Sequence, residues 1–327
     1  MKVFVTGGAG YVGSHCSKLL RQSGHTLLVY DNLSTGHRGA VEPDELVVGD
    51  LADTTMLRKT MDKFQPDAVM HFAASTAVGE SVQEPLMYYR NNVANTVNLL
   101  DVMKEVGVRK LVFSSTCAVY GIPPKMPITE DMPTNPLSPY GRTKRMMELV
   151  YADCARAWNL GYAALRYFNA SGASFEGTIG EDHTPETHLI PIVLQVALGQ
   201  RKEVQIFGDD YPTADGTCVR DYIHVEDLAE AHQKALLALE PGKELILNLG
   251  TGKGNSVKEV IDIAERVTGK KIARSIGLRR AGDTPELYAN PLKAKEVLGW
   301  QAKITEIEDV IQTAWEWHKN HPKGFAE

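Results

Sequence analysis

The chain has 327 residues, 43% of them hydrophobic and 23% charged, enough for one large or two modest domains with a sizeable core. Its net charge of -6 excludes the broad basic field that would hold nucleic acid or an anionic membrane. No apolar run approaches the ~20 residues that span a bilayer, and the opening Met1–Gly8 stretch reaches glycine too soon for a signal sequence.

Val3 to Val5 predicts a first strand, ending in Thr6-Gly7-Gly8-Ala9-Gly10-Tyr11-Val12-Gly13. A helical pattern follows, with Cys16, Leu19 and Leu20 as its later apolar positions, and Thr26 to Tyr30 predicts a second strand ending at Asp31. Strand, glycine loop, helix, strand and acid in that order make a βαβ unit with a dinucleotide fingerprint. Gly8, Gly10 and Gly13 fit G-x-G-x-x-G, and Gly7, Gly10 and Gly13 fit G-x-x-G-x-x-G. A side chain there would block the turn and the approach of a pyrophosphate, and the helix N-terminus offers free N–H groups to phosphate. Asp31 falls 18 residues after Gly13, where a carboxylate accepts from ribose hydroxyls and repels a 2'-phosphate. The expected cofactor is therefore NAD rather than NADP.

Leu46 to Val48 predicts a third strand ending in Gly49-Asp50-Leu51, with Asp50 a candidate for adenine or for a helix cap before Thr54. Asp67 to Phe72 predicts a fourth, followed by Ala73, Ala74 and Ser75. About Glu80 to Val106 reads as one long helix, and Arg109 to Phe113 as the fifth strand. Ser114, Ser115 and Thr116 follow it, so their hydroxyls are expected in the ligand crevice at the carboxyl end of the sheet. After a Pro-rich loop, Ser138 suits a helix N-cap and Pro139 the first helical position. Tyr140 and Lys144 then share a helix face. An unperturbed phenol, with a pKa of about 10, is a poor base at pH 7, and a nearby ammonium lowers that value. The pair is a candidate for removing a proton from a hydroxyl, with Thr116 bridging substrate and phenol.

Gly161 to Phe168 predicts a sixth strand ending at Asn169. Beyond it the alternation loosens, as in a smaller substrate lobe. His183 and His188 are five apart and not on one helix face, so no metal site is expected. Glu203 to Phe207 is a short strand, Asp209 to Thr217 a turn-rich loop, and Val219 to His224 an alternating segment placed to rejoin the main sheet. Val225 to Leu239 reads as helix, Glu244 to Asn248 as strand, and Glu306 to His318 as an amphipathic helix. Arg279 and Arg280, with Arg220, are candidates to clamp a diphosphate, since guanidinium forks match phosphate oxygens. The four cysteines, Cys16, Cys117, Cys154 and Cys218, have neither C-x-x-C nor metal-ligand spacing, and read as reduced thiols of a cytoplasmic protein.

The glycine loop, Asp31-Asn32-Leu33, His71-Phe72-Ala73-Ala74, Ser114-Ser115-Thr116 with Val119-Tyr120-Gly121, Tyr140 with Lys144, and Arg166-Tyr167-Phe168-Asn169 occur in one order. Together they resemble the extended short-chain dehydrogenase/reductase superfamily. Ala77-Val78-Gly79-Glu80-Ser81, the run from Gly216 to Val225 and Arg279-Arg280-Ala281-Gly282-Asp283 are similar to its 4-epimerase family acting on UDP-glucose and UDP-galactose. The resemblance covers essentially the whole chain. It implies an α/β fold with a Rossmann-like doubly wound parallel sheet and a smaller C-terminal UDP-sugar lobe. The NAD-binding part would be 1–170 with a returning segment about 218–248, and the UDP-sugar lobe 171–217 and 249–327.

By the same resemblance, Tyr140 is base and acid, Lys144 holds the nicotinamide ribose and keeps the phenol acidic, and Thr116 relays the proton. Gly7, Gly10, Tyr11, Val12, Gly13, Asp31, Asn32, Asp50, Leu51, Phe72, Ala73, Asn91, Tyr140, Lys144 and Phe168 would contact NAD. Thr116, Tyr140, Asn169, His188, Leu189, Gln205, Phe207, Arg220, Arg280 and Asp283 would contact the UDP-sugar. Family members are homodimers packed through two helices, here roughly 80–106 and 139–158. Departures are Thr76 where lysine is common, Thr116 where serine is frequent, and His188 where asparagine is common. Leu287 is intermediate at a position that gates N-acetyl groups. Cys117 and Ala118 replace the acid pair of a 4,6-dehydratase. Epimerases of other UDP-sugars (N-acetylhexosamine, pentose or uronate) remain alternatives, as does a non-catalytic NAD-binding sensor or scaffold.

Overall fold

In the computed structural model, residues 1–280 and 282–325 are described; Ala281 of the basic motif lies outside them. Val3, Phe4 and Val5 are fully buried, because β1 (Lys2–Thr6) has helices over both faces. Such a strand reads as a continuous apolar run, not an alternating one. The chain continues through α1 (Tyr11–Gln22), β2 (Thr26–Asp31), β3 (Leu46–Val48), α2 (Thr54–Phe64) and β4 (Ala68–His71). Next come α3 (Val78–Gln83), α4 (Pro85–Tyr88), a π-helical turn at Tyr89–Ala94, α5 (Asn95–Val106), β5 (Lys110–Thr116), α6 (Pro139–Trp158) and β6 (Gly161–Tyr167).

The smaller elements β7 (Asn169–Ser171), α7 (Leu189–Ala197), β8 (Val204–Phe207), β9 (Val219–Arg220) and β10 (Tyr222–His224) follow. Then α8 (Val225–Ala238) and β11 (Glu244–Leu249) return to the large sheet. The chain closes with β12 (Asn255–Ser256), α9 (Val257–Thr268), β13 (Arg274–Gly277), β14 (Glu286–Leu287), α10 (Leu292–Leu298) and α11 (Ile307–Asn320).

The seven-stranded sheet has the order β11-β6-β5-β4-β1-β2-β3, and every pair in it is parallel. This is the Rossmann-like doubly wound architecture. Strand order reverses between β1 and β4, and ligands of such sheets sit at the carboxyl ends beside that reversal. Val3 and Val5 pack toward Leu20 of α1 and Leu228, Ala231 and Leu236 of α8. Phe4 faces the other way, toward Leu57 of α2, Leu99 and Met103 of α5, and Met147 and Tyr151 of α6. A separate core joins α7, β8, α9 and α11. No helix among the described residues is long and apolar enough to cross a membrane.

Two expectations need correction. The stretch 80–106 is not one helix. Pro85 cannot donate to the preceding turn and disfavours helical backbone at Glu84, whose φ is -120° and ψ 57°. The chain restarts as α4 and then widens into the π-helical turn before α5. Nor does Val219–His224 rejoin the large sheet. The place beside β6 is taken by β11, so β9 pairs with β12 and β14 while β10 pairs with β7.

Candidate active site

The glycine loop is built by close contacts on two sides and open space on the third. Gly7 has φ +70°, and a Cβ there would lie 2.4 Å from the Ala73 nitrogen. A Cβ on Gly13 would lie 2.2 Å from the Gly7 oxygen, so the first turn of α1 presses on the loop. Gly10 differs: its Cβ would meet only the Gly7 oxygen, at 3.4 Å. Little in the protein forbids a side chain at Gly10, so the loop has free room on this side. Gly10 is also the N-cap of α1 and places no side chain on its N–H groups. The helix end is thus open to an anion.

Asp31 is buried, and its carboxylate accepts from the Ala9 nitrogen at 3.0 Å and the Leu33 nitrogen at 2.8 Å. Burial raises its pKa, and the two backbone donors and the His37 charge work against that rise. Asn32 donates to Asp50 at 2.7 Å. The cap of α2 is Asp53, which accepts from the Met56 nitrogen at 2.9 Å, so Asp50 is free of that alternative. Gly13, Val12 and Tyr11 open α1, Leu51 follows β3, and Phe72 and Ala73 follow β4. Phe168 follows β6, so these residues share the carboxyl edge of the sheet. The Tyr11 hydroxyl donates to the Gly172 carbonyl at 2.6 Å. The donor set, the Gly10 opening and the ribose-side carboxylate fit a dinucleotide such as NAD.

At the reacting end, Ser138 caps α6 by accepting from the Gly141 nitrogen at 3.1 Å. Gly141 lets this first turn press on the segment after β5; a Cβ there would stand 2.7 Å from the Ala118 oxygen. The Thr116 hydroxyl, which accepts from the Ala118 nitrogen at 3.1 Å, is close enough to the Tyr140 phenol to shift its pKa. One turn on, the buried Lys144 ammonium donates to the Ser114 carbonyl at 2.8 Å. It lies 4.8 Å from the Phe113 ring centre and 5.9 Å from that of Tyr140. Burial pushes the phenol up to about 12, partly offset by the Thr116 hydroxyl, and pushes the Lys144 ammonium down to about 7. For both groups burial is the largest cause of the shift.

Residues behind the reacting groups hold this geometry. Glu148 of α6 takes a two-pronged bond from Arg166 of β6, at 2.9 and 2.6 Å, and another from Ser115 of β5 at 2.7 Å. Arg166 also donates to the Tyr120 hydroxyl at 2.9 Å, which donates to Asn248 of β11 at 2.7 Å. Asn92, turned inward by the π-helical turn, donates to the Ser75 carbonyl at 2.9 Å and to Thr143 at 3.1 Å. Asn91 donates to the Ser75 hydroxyl at 3.0 Å. Ser115, Tyr120, Asn91 and the Arg166 run carried a sequence signal; Glu148 and Asn92 become legible once their partners are adjacent.

The substrate-side residues converge from several loops. Gln205 and Phe207 share the exposed face of β8. The Arg280 guanidinium stands 4.7 Å from the Phe207 ring centre and bonds Asp283 at 3.0 Å. Arg220 reaches Asp283 at 3.6 Å. Asn169 donates to the carbonyl of Asp221 at 3.0 Å, and the buried Asp221 carboxylate gathers the N–H groups of Thr251, Gly252 and Ala289. His188 and Leu189 stand at the start of α7. His183 and His188 share no helix face, as their spacing predicts, but their loop brings both imidazoles to Glu181 and Glu186. Helical spacing says nothing about residues that a loop folds together. Burial pushes His183 and His188 down, but the two carboxylates outweigh it and lift them to about 9 and about 10.

Sheet and crevice together define a dinucleotide-binding α/β protein with a tyrosine–lysine pair at its reacting end. The model of the NAD dependent epimerase/dehydratase family matches residues 3–250, and the chain belongs to that family. It is 51% identical over an alignment of 329 positions to the UDP-glucose 4-epimerase of Lactobacillus helveticus, covering 100% of each chain. The crystal structure of UDP-glucose 4-epimerase from Brucella ovis in complex with NAD superposes with a TM-score of 0.93 at 49% identity, covering 96% of this chain and 97% of that one. The Bifidobacterium longum UDP-glucose 4-epimerase with NAD+ and UDP gives a TM-score of 0.95 at 39% identity, covering 99% and 100%.

Proposed function

We propose that this chain is an NAD-dependent isomerase that interconverts UDP-glucose and UDP-galactose. Full-length similarity to UDP-glucose 4-epimerases supports the reaction. The observation that carries the chemistry is Tyr140 on the first turn of α6, with the buried Lys144 ammonium one helical turn on, 5.9 Å from its ring centre and bonded to the Ser114 carbonyl, and with the Thr116 hydroxyl acting on its phenol. Bound NAD supplies a reversible hydride acceptor for sugar C4. Tyr140 takes the C4 hydroxyl proton, directly or through Thr116, and returns it after the sugar has turned over. Thr116 holds the sugar oxygen and the phenol in line. Lys144 would hold the cofactor's ribose, and it places a positive charge near the phenol whenever it is protonated.

A single tyrosine serves both faces of the sugar only if the nucleotide stays anchored while the sugar rotates. Arg220, Arg280, Asp283 and Phe207 offer cation, carboxylate and ring surfaces for uridine diphosphate. Asn169, His188, Leu189 and Gln205 complete that wall. Loop room near Leu287 sets how large a sugar substituent is accepted. In this division of labour the large sheet, including its return through β11, holds NAD, and the β8–β9–β14 side holds the UDP-sugar.

The assembly is a homodimer through α3, α4, α5 and α6, where Val82, Leu86, Met146 and Leu149 are exposed. The four free cysteines fit a reducing cytoplasm. The test is to incubate the purified protein with UDP-galactose and no added NAD, then resolve the products. UDP-glucose forms, and Tyr140→Phe keeps its NAD while turning over roughly a hundredfold more slowly, the scale of a lost general base. Absence of UDP-glucose refutes the reaction, and near-normal turnover in the variant refutes the role of Tyr140.

A further inference from the structure

The loop entering α7 carries Glu181, His183, Glu186 and His188, of which the first three have no part in the reaction above. One nitrogen or oxygen from each lies within 4.8 Å of the others. The His188 Nδ1 atom is 2.6 Å from Glu181 and 3.5 Å from Glu186; the His183 Nδ1 atom is 3.3 Å and 3.6 Å from the same two. Ligands bound at about 2.0–2.1 Å to a tetrahedral ion are separated by roughly 3.3 Å. The loop already holds them close to that spacing.

Charge and orientation point the same way. Glu181 and Glu186 are only 4% and 8% exposed, and among the described residues their ion-pair partners are these two imidazoles alone. Two buried carboxylates require compensation, from two protons or from one divalent cation. The buried Glu181 Oε1 and His183 Nδ1 atoms have no hydrogen-bond partner although they are 3.3 Å apart. They converge without being aimed donor to acceptor, as ligands of a common centre do. The loop is also braced from outside. Glu186 accepts from the backbone of Thr187 at 2.6 Å and His188 at 2.7 Å. His37 bonds the Asp182 carbonyl at 3.0 Å. A Cβ on Gly180 would meet the Trp317 ring at 2.3 Å, so the loop sits tight on α11. Such outer contacts fix the orientation of metal ligands.

We propose that Glu181, His183, Glu186 and His188 form a structural site for one divalent transition-metal ion, with zinc preferred. Two imidazole nitrogens and two carboxylate oxygens suit zinc, and four protein ligands leave no open position for chemistry. The ion clips the loop to the start of α7 and so sets where His188 and Leu189 stand. This assignment does not depend on which sugar the enzyme turns over.

The holoenzyme, treated with a chelator and desalted, is titrated with Co2+ and read by visible absorption, and its melting temperature is followed with and without Zn2+. One equivalent of Co2+ binds with the spectrum of a tetrahedral ion, Zn2+ displaces it, and Zn2+ raises the melting temperature. Glu181→Gln and His183→Ala each abolish the cobalt spectrum and the zinc-dependent rise. The proposal is overturned if wild type shows no tetrahedral cobalt spectrum, or if both variants retain it.

Discussion

Desolvation sets the chemistry at the scale of single residues. Tyr140 and Lys144 are each costly to charge where they stand, and their spacing was plain in the sequence while their burial was not. The folded Lys144 titrates at about 7 against an ordinary 10.5. Between those values the unfolded chain binds more protons than the folded one, so stability from this group rises with pH across the window and is flat outside it. Lys144→Met removes that dependence. In urea unfolding of cofactor-free protein at pH 7 and pH 9.5, wild type should gain on the variant by a few kcal/mol, since each pH unit crossed inside the window is worth about 1.4 kcal/mol. An equal gap at both pH values contradicts the assignment. Gly7, Gly13 and Asp31 were legible because each has a spacing and a steric or electrostatic reason. Glu148 was not: its partners, Arg166 and Ser115, lie 18 and 33 positions away and meet it only across the sheet.

Among the elements, the one that positions the reacting group is α6, and its start could be read directly. Ser138 and Pro139 mark the cap, and the cap hydrogen bond is present. What the sequence concealed is that Gly141 belongs to a contact between α6 and the turn after β5. Gly141→Ala puts a methyl group 2.7 Å from the Ala118 oxygen, so helix and turn must part and Tyr140 moves away from Thr116. Turnover should fall tenfold or more while NAD remains bound, measured by product formation and by the cofactor released on denaturation; unchanged turnover contradicts it. The long helix expected over 80–106 failed for a readable reason, Pro85, whereas the π-helical turn that aims Asn92 at Thr143 left no local mark. The alternation of Val219–His224 predicted extended backbone correctly but could not tell which sheet would take it.

For the molecule as a whole, the order of strands and helices was legible because the parallel strands are short apolar runs, most of them ended by glycine, acid or hydroxyl. Placement of the lobe strands was not, since two- and four-residue strands carry too little pattern. Val82, Leu86 and Leu149 are 63%, 66% and 50% exposed on neighbouring helices, a surface that a second copy of this chain would cover. Leu149→Arg should convert dimer to monomer in sedimentation; a wild-type monomer, or a variant that stays dimeric, contradicts the interface.

The central claim, that hydride leaves and rejoins the same sugar carbon on a cofactor that does not depart, is tested most directly with UDP-galactose bearing deuterium at C4. Turned over in ordinary water without added NAD, the UDP-glucose formed should keep the deuterium at C4. Loss of the label to solvent would contradict the account.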